Sequence, residues 1–337
     1  HLPLMFPVDQ QLDVKSIAAQ GIHPPLPKLF FMGLAKLAML VGIEGQTAAF
    51  RFSLLFIGLF SFLINAISAA RHFTGRRATL AVGLVAFFFL SPLMMTRLMV
   101  ESITMPLVTL MSLLLVQYWR RGWRVDLSLA AVVWVVTFAF RPQVLSVAPA
   151  FLLAVVLSRR YKDLLWLGLS VAVAVSLLGA IDLALGRTFF QSYWDYVVFN
   201  LRFSGTHGVM PFYVFILALL AATLPPTFIS RYRGFRWKEE YQELLPSLWI
   251  LAFFVGVHSL IGHKEERFMV PILGVFLVCL VPLADHLIFV EKSRWRMIYF
   301  AALNGTLLLL TSFNIVQNNI VGLAVHLESH REINELM

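Results

Sequence analysis

The sequence predicts an all-helical, polytopic membrane protein. Of its 337 residues, 59% are hydrophobic and only 13% charged, too little polar surface to coat a water-soluble globule. The apolar residues come in runs close to the length a bilayer needs, with cations gathered between them. The formal net charge of +9 would suggest nucleic acid in a soluble chain. Here it falls in interhelical loops, where it orients the protein in the bilayer, and no nucleic-acid partner is expected. The one cysteine, Cys279, lies in an apolar run. It allows no internal disulfide and suits a small core residue.

Residues 1–50 read as a non-cytoplasmic loop with a juxtamembrane helix. Asp9, Asp13 and Lys15 make its first part polar. His23-Pro24-Pro25-Leu26-Pro27 then leads into an apolar stretch over 28–42 that carries Lys28 and Lys36. Proline is tolerated in the first turn of a helix, where the N–H groups lack partners anyway. A short span and a surface-lying amphipathic helix both fit this stretch. Parity favours the surface helix, because a span would place Asp9 and His23 opposite the charged hairpin described below. The chain starts at His1 with no initiator methionine or signal-like segment, and is expected to be a fragment lacking its natural N-terminus.

Residues 51–316 read as the transmembrane domain and 317–337 as a polar tail. Spans are expected at 52–70, 80–95, 103–117, 127–140, 144–157, 164–185, 211–229, 244–261, 269–287 and 298–315, about ten in all. The pair around Arg141-Pro142 is short and reads as one broken hairpin reaching toward a polar centre, since irregular backbone needs protein or water around it. Loop cations alternate. The rich loops hold Arg71, Arg76 and Arg77; Arg120, Arg121 and Arg124; Arg159, Arg160 and Lys162; Arg231, Arg233, Arg236 and Lys238; and Lys292, Arg294 and Arg296. The poorer ones hold Arg97, Arg141, Arg187 with Arg202, and Lys264 with Arg267. The positive-inside rule makes the rich set cytoplasmic and the poor set outward-facing.

The outward set collects the unusual residues. Chief among them is His263-Lys264-Glu265-Glu266-Arg267-Phe268, between two apolar runs. Such a charged hairpin cannot lie in lipid. It is either a solvated turn with internal ion pairs or a cradle for an anionic group at the membrane surface. Arg97 and Glu101 stand one helical turn apart, and an ion pair along one helix face is the structural alternative to a role in a site. Arg141, between apolar helices, needs a counter-charge or must snorkel to water. The longest outward loop carries Tyr193-Trp194-Asp195-Tyr196, Asn200 and His207. Its aromatic rings suit either interface anchoring or a sugar platform. Metal-ligand spacing, a nucleophile elbow and a phosphate-binding P-loop are absent from the sequence, so no cofactor and no metal are expected.

These residues carry a family resemblance. His263 to Phe268 resembles the HKEERF-type motif of glycosyltransferase family 22, the GT-C-fold mannosyltransferases of N-glycan and GPI-anchor assembly and their bacterial relatives. Phe199-Asn200-Leu201-Arg202-Phe203-Ser204-Gly205-Thr206-His207-Gly208, leading into Met210-Pro211-Phe212-Tyr213, is similar to a second family stretch. Arg97 to Glu101 with Pro106, and Phe140-Arg141-Pro142, resemble two shorter elements. The matches fall in family order over roughly residues 20–315. A shorter run, His23-Pro24-Pro25-Leu26, resembles an element of protein O-mannosyltransferases, which do not supply the hexad.

The resemblance implies a GT-C-type bundle with its active-site loops on the non-cytoplasmic side, periplasmic in a bacterium or luminal in the endoplasmic reticulum. It implies an inverting hexosyltransferase that moves mannose from a polyprenyl-phosphate (dolichyl-phosphate) donor to a hydroxyl of a lipid-linked glycan or glycolipid. Donor, acceptor and membrane lipids are then its partners. His263, Lys264 and Arg267 would bind the donor phosphate, supported by Glu265, Glu266, His207, Asn200, Arg97, Glu101, Arg141 and His23. The family's catalytic acids form a pair about thirty residues before an H-P element like His23-Pro24. This chain departs from that pattern, with only Asp9 and Asp13 ahead of His23. The catalytic pair is therefore expected upstream of His1, with Asp9 or Asp13 as substitutes. A protein O-mannosyltransferase and a transporter are the alternative functions, although the internal duplication usual in transporters is not seen.

Overall fold

A computed structural model describes residues 24–43, 45–203, 210–222, 234–261 and 264–313. Every element among them is helical. The order is α1 (Pro25–Leu40), α2 (Gln46–Arg71), α3 (Gly75–Phe87), α4 (Leu90–Met95), α5 (Val100–Arg121), α6 (Arg124–Phe140), α7 (Ala148–Leu157), α8 (Asp163–Ala184), α9 (Gln191–Phe203), α10 (Val214–Ala222), α11 (Trp237–Tyr241), α12 (Leu245–Leu260), α13 (Leu273–Asp285) and α14 (Arg294–Phe313). Tight 3-10 segments at Pro142–Val147 and Glu266–Ile272 precede α7 and α13.

Five stretches among the described residues are long and apolar enough to cross a bilayer: Thr47–Arg71, Val100–Arg121, Asp163–Ala184, Trp237–Leu260 and Arg267–Val290. The sequence suggested about twice as many, and proline accounts for much of the difference. The expected span at 80–95 is split into α3 and α4 at Phe88, whose backbone is extended (φ −68°, ψ 121°). Phe88 lies four residues before Pro92, where the proline ring collides with a helical carbonyl. At Arg141-Pro142 the residue before proline is likewise extended (φ −141°, ψ 92°), which ends α6 at 17 residues. The following arm begins as a 3-10 turn, leaving α7 short. Of the expected span at 211–229 only α10 is described.

The bundle is built around α5 and α13. Of their apolar windows 72% and 83% are buried inside the protein, against 22% for α8. These two helices therefore form the interior, and α8 turns most of its surface outward. Without water to drive apolar faces together, close approach and interhelical hydrogen bonds hold such helices. Both occur here. Thr109 Oγ1 donates to Asn65 Oδ1 of α2 at 2.6 Å, and Ser112 meets Ser247 of α12 at 2.8 Å. Gly274 on α13 lies against the first pair: a methyl group there would stand 2.0 Å from Thr109 Oγ1 and 2.5 Å from Asn65 Oδ1. The α1 helix packs Phe31 and Leu34 against Ile57, Ile103 and Phe140, over the bundle end where α5 begins and α6 stops.

The loop charges segregate to opposite ends. At one end Asp285, 1% exposed, takes Arg76 at 2.6 Å and Arg77 at 2.8 Å. Arg77 also reaches Glu240, Arg120 reaches Glu243, and Arg124 reaches Asp163. These cations all belong to the rich loops. The poorer set meets at the other end, where Glu101 pairs with Arg141 and Lys264 bonds to Met210.

Gly274→Ala should lower the thermal midpoint in detergent, at a cost of about 1–3 kcal/mol for overpacking a tight contact. Adding Thr109→Ala should recover part of the loss. An unchanged midpoint in the single variant would mean that α2, α5 and α13 do not meet in this way. Cysteines placed at the exposed positions Thr188 and Lys162 should label from opposite sides of sealed vesicles with a membrane-impermeant maleimide, Lys162 from the cytoplasmic side. Labelling of both from one side would overturn the arrangement.

Candidate active site

The end of the bundle that holds the cation-poor loops contains a buried polar cluster. Glu101 sits in the first turn of α5. Arg141 sits just past α6, in the extended conformation that Pro142 enforces. Their side chains are 4% and 12% exposed and meet at 2.8 Å, Arg141 Nη1 to Glu101 Oε1. The guanidinium also lies over the ring of Phe268, 5.1 Å from its centroid, which is a favourable place for a cation. The partner of Glu101 is thus Arg141 and not Arg97. Residues 97–99 are not helical and α5 starts only at Val100, so the helical register that would align Arg97 with Glu101 does not exist.

The hexad follows directly on α12. Lys264 is buried, 4% exposed. Its Nζ donates to the carbonyl of Ile261 at 2.5 Å and to that of Met210 at 3.0 Å. The first bond satisfies a carbonyl at the end of α12, and the second ties the hexad to the segment after the 187–210 loop. An ammonium has a third N–H to offer. Glu265, in extended conformation, holds Arg267 through a close Nε–Oε2 ion pair, with Arg267 half exposed. The 3-10 segment that starts at Glu266 packs against α5, which brings Arg267 and Phe268 up to the Glu101–Arg141 pair.

Several polar atoms of this cluster are buried without a hydrogen-bond partner: Arg141 Nε and Nη2, Gln143 Oε1, His258 Nε2 and Ser259 Oγ. Such groups cost roughly 1–3 kcal/mol each when left unmet, and their concentration at one place marks a site for a polar ligand. His258 and Gln143 are not apparent from the motifs. His258 is a titratable residue inside an apolar run, one turn before the hexad, and that signal alone singles it out.

Asp9, Asp13, His23, His207 and His263 lie outside the described residues. Asn200 lies on α9 and Glu266 opens the 3-10 segment, but their side chains fall outside the description. The stretch expected as the longest outward loop is helical over α9; on it Tyr193 is wholly buried and stacks on Phe190 and Phe138 at 5.0 and 5.7 Å, so it serves the core and not a sugar. Trp194, 65% exposed, is free to meet lipid or substrate. A cavity of about 880 Å³ lined by Trp123, Arg124, Arg160 and Lys162 lies at the opposite, cation-rich end, far from the buried cluster. Two of its cations are engaged, Arg124 with Asp163 and Arg160 with the Tyr118 carbonyl.

Residues 18–337 match the family model described as the Alg9-like mannosyltransferase family. The chain belongs to this family. Comparison with curated proteins and with solved structures gives no match. The match covers the whole described bundle, including the hexad and the Glu101–Arg141 pair. The protein is therefore a multi-pass membrane mannosyltransferase, and the polar cluster is the candidate site of this Alg9-like enzyme.

Removing one partner of the buried pair should be costly. Glu101→Ala strands a buried guanidinium, and about 3–5 kcal/mol of stability should be lost. An apolar double replacement, Glu101→Leu with Arg141→Met, removes both charges and should fold with near wild-type thermal stability. If the pair serves the site, this stable double variant should still lose mannosyl transfer. Full turnover in it would show that the pair is structural only.

Proposed function

We propose that this mannosyltransferase takes mannose from a polyprenyl-phosphate (dolichyl-phosphate) donor and adds it, with inversion, to a hydroxyl of a lipid-linked glycan or glycolipid, at a site on the non-cytoplasmic side. The observation that carries this reading is the convergence of Arg141, Lys264 and Arg267 at one end of a lipid-embedded bundle, with donor atoms of Arg141 unpaired. A donor anchored by a long polyprenyl tail presents its phosphate at the boundary between lipid and water, where the outward, cation-poor loops are expected.

In the transfer, the acceptor oxygen forms a bond to the anomeric carbon as the bond from that carbon to the phosphate oxygen breaks. The electron pair leaves with the phosphate, and a carboxylate takes the acceptor proton. Fixed cations in a site with little water stabilise the developing phosphate charge far more than solvent would. Arg267, half exposed and held by Glu265, is the contacting cation, and its fork-shaped donor set matches phosphate oxygens. Lys264 holds the hexad in shape through two carbonyls and directs its remaining N–H to the same group. His263 belongs to this group by its place in the hexad. Asp9 and Asp13 are the carboxylates this sequence offers near His23 for the proton.

Arg267→Ala should lower turnover on the order of 100-fold, as expected for the loss of one charge-stabilising donor. Arg267→Lys should recover only part, because the fork is lost while the charge stays. Transfer from polyprenyl-phosphate-mannose, normalised to monodisperse protein in detergent, is the deciding measurement. Wild-type turnover in a Lys264→Ala/Arg267→Ala variant would sink the assignment.

A further inference from the structure

We propose that His258 and Arg141 form the two walls of one buried anion pocket, and that His258 takes up a proton when the donor's phosphodiester enters it. The inference rests on the donor-phosphate reading above and adds to it a residue that touches the substrate. His258 lies on the last turn of α12, 2% exposed. Its ring stacks on Phe254 at 4.0 Å, and its Nδ1 bonds to the Phe254 carbonyl at 2.7 Å. A carbonyl only accepts, so Nδ1 carries the hydrogen, and in the neutral ring Nε2 is a bare acceptor. That Nε2 is buried and has no partner.

Arg141 directly precedes the 3-10 segment that packs on α12, and its Nε and Nη2 are likewise buried and unpaired. The packing of α12 against the 3-10 segment Pro142–Val147 brings the two together. The other charged groups at this end of the elements around α12 are Glu101, engaged by Arg141, and Lys264, Glu265 and Arg267 of the hexad, with Glu266 beside them. Three cations and three carboxylates balance there, so no surplus of negative charge offsets the cost of burying an imidazolium whose Nε2–H has no partner.

A sugar phosphodiester carries one negative charge and no proton. It is a pure acceptor toward both walls. Arg141 can meet it with Nε and Nη2 as a fork. A bare Nε2 would meet it acceptor to acceptor, and only a protonated Nε2 makes a bond. The entering negative charge also cancels the repulsion from Arg141. One proton from solvent, placed on Nε2, therefore accompanies the anion. After the sugar leaves, the phosphate is a monoester that has gained an electron pair and can take that proton back from Nε2. Atoms and charge balance, and the histidine returns to its neutral form on product release.

The test is calorimetric binding of a short-chain donor, farnesyl-phosphate-mannose, to the full chain in detergent without acceptor, in buffers of different ionisation enthalpy. A phosphodiester has no proton to gain, so any uptake belongs to the protein. Wild type should take up on the order of one proton per ligand near neutral pH. His258→Phe, which keeps the stack on Phe254, should bind at least about tenfold more weakly with no uptake, as expected for a lost bond to a charged group. His258→Gln, which offers an N–H without titrating, should regain affinity but not the proton. Wild-type binding without proton uptake, or uptake that persists in both variants, overturns the pocket while leaving the donor reading intact. No binding by wild type, or binding indifferent to Arg267→Ala and Arg141→Met alike, overturns the donor reading and the pocket with it.

Discussion

An arginine buried in an apolar bundle cannot stand alone. A charge at that depth costs several kcal/mol unless it finds a counter-charge or water, and much of this structure follows from the way Arg141 is satisfied. Pro142 forces it out of the helix, which ends α6 and starts a 3-10 turn. The extended backbone lets the guanidinium reach Glu101 at the start of α5. The same turn gives α12 a surface to pack on, and the hexad brings Phe268 under the guanidinium. One ion pair thus joins α5, α6, the 3-10 turn and the hexad at one end of the bundle.

The interior shows how helices are held when the solvent is as apolar as their side chains. The polar residues of α5 point inward: Ser102, Thr104, Thr109 and Ser112 are all buried, and the last two bond to neighbouring helices. At the cation-rich end Asp285 is satisfied by two arginines and Arg124 pairs with Asp163. At the opposite end Arg141, Gln143 and His258 keep unmet atoms. Local rules of this kind are broken most often at functional sites.

This division also explains how a charged hairpin can take part in chemistry without destabilising the bundle. Lys264 is turned inward onto backbone carbonyls and so acts as a brace, while Arg267 stays half exposed on a glutamate tether. The buried cation fixes the shape, and the exposed one remains available to a charged substrate. Cations already fixed by protein partners need no reorganisation when charge develops, which is the condition under which they stabilise a transition state most.

The sequence by itself determined the solvent, the element type and the family. Its apolar runs demanded lipid, the loop cations announced two distinct ends, and the hexad with Phe140-Arg141-Pro142 marked the region of interest, because composition and short motifs are local properties. Tertiary structure decided what those properties leave open. Span count is one case: Pro92 divides the apolar run at 80–95 that hydropathy reads as continuous, since hydropathy ignores the carbonyl that a proline ring displaces. Partner choice is another. Spacing offered Arg97 to Glu101, yet the backbone before Val100 is not helical and the counter-charge comes from Arg141, distant in sequence. The roles of Tyr193 and His258 are a third. Tyr193, expected in a loop, lies on a helix and is core, and His258 in a span carries a buried unmet nitrogen, because burial and unmet hydrogen bonds are set by which helices touch, and no single segment encodes that.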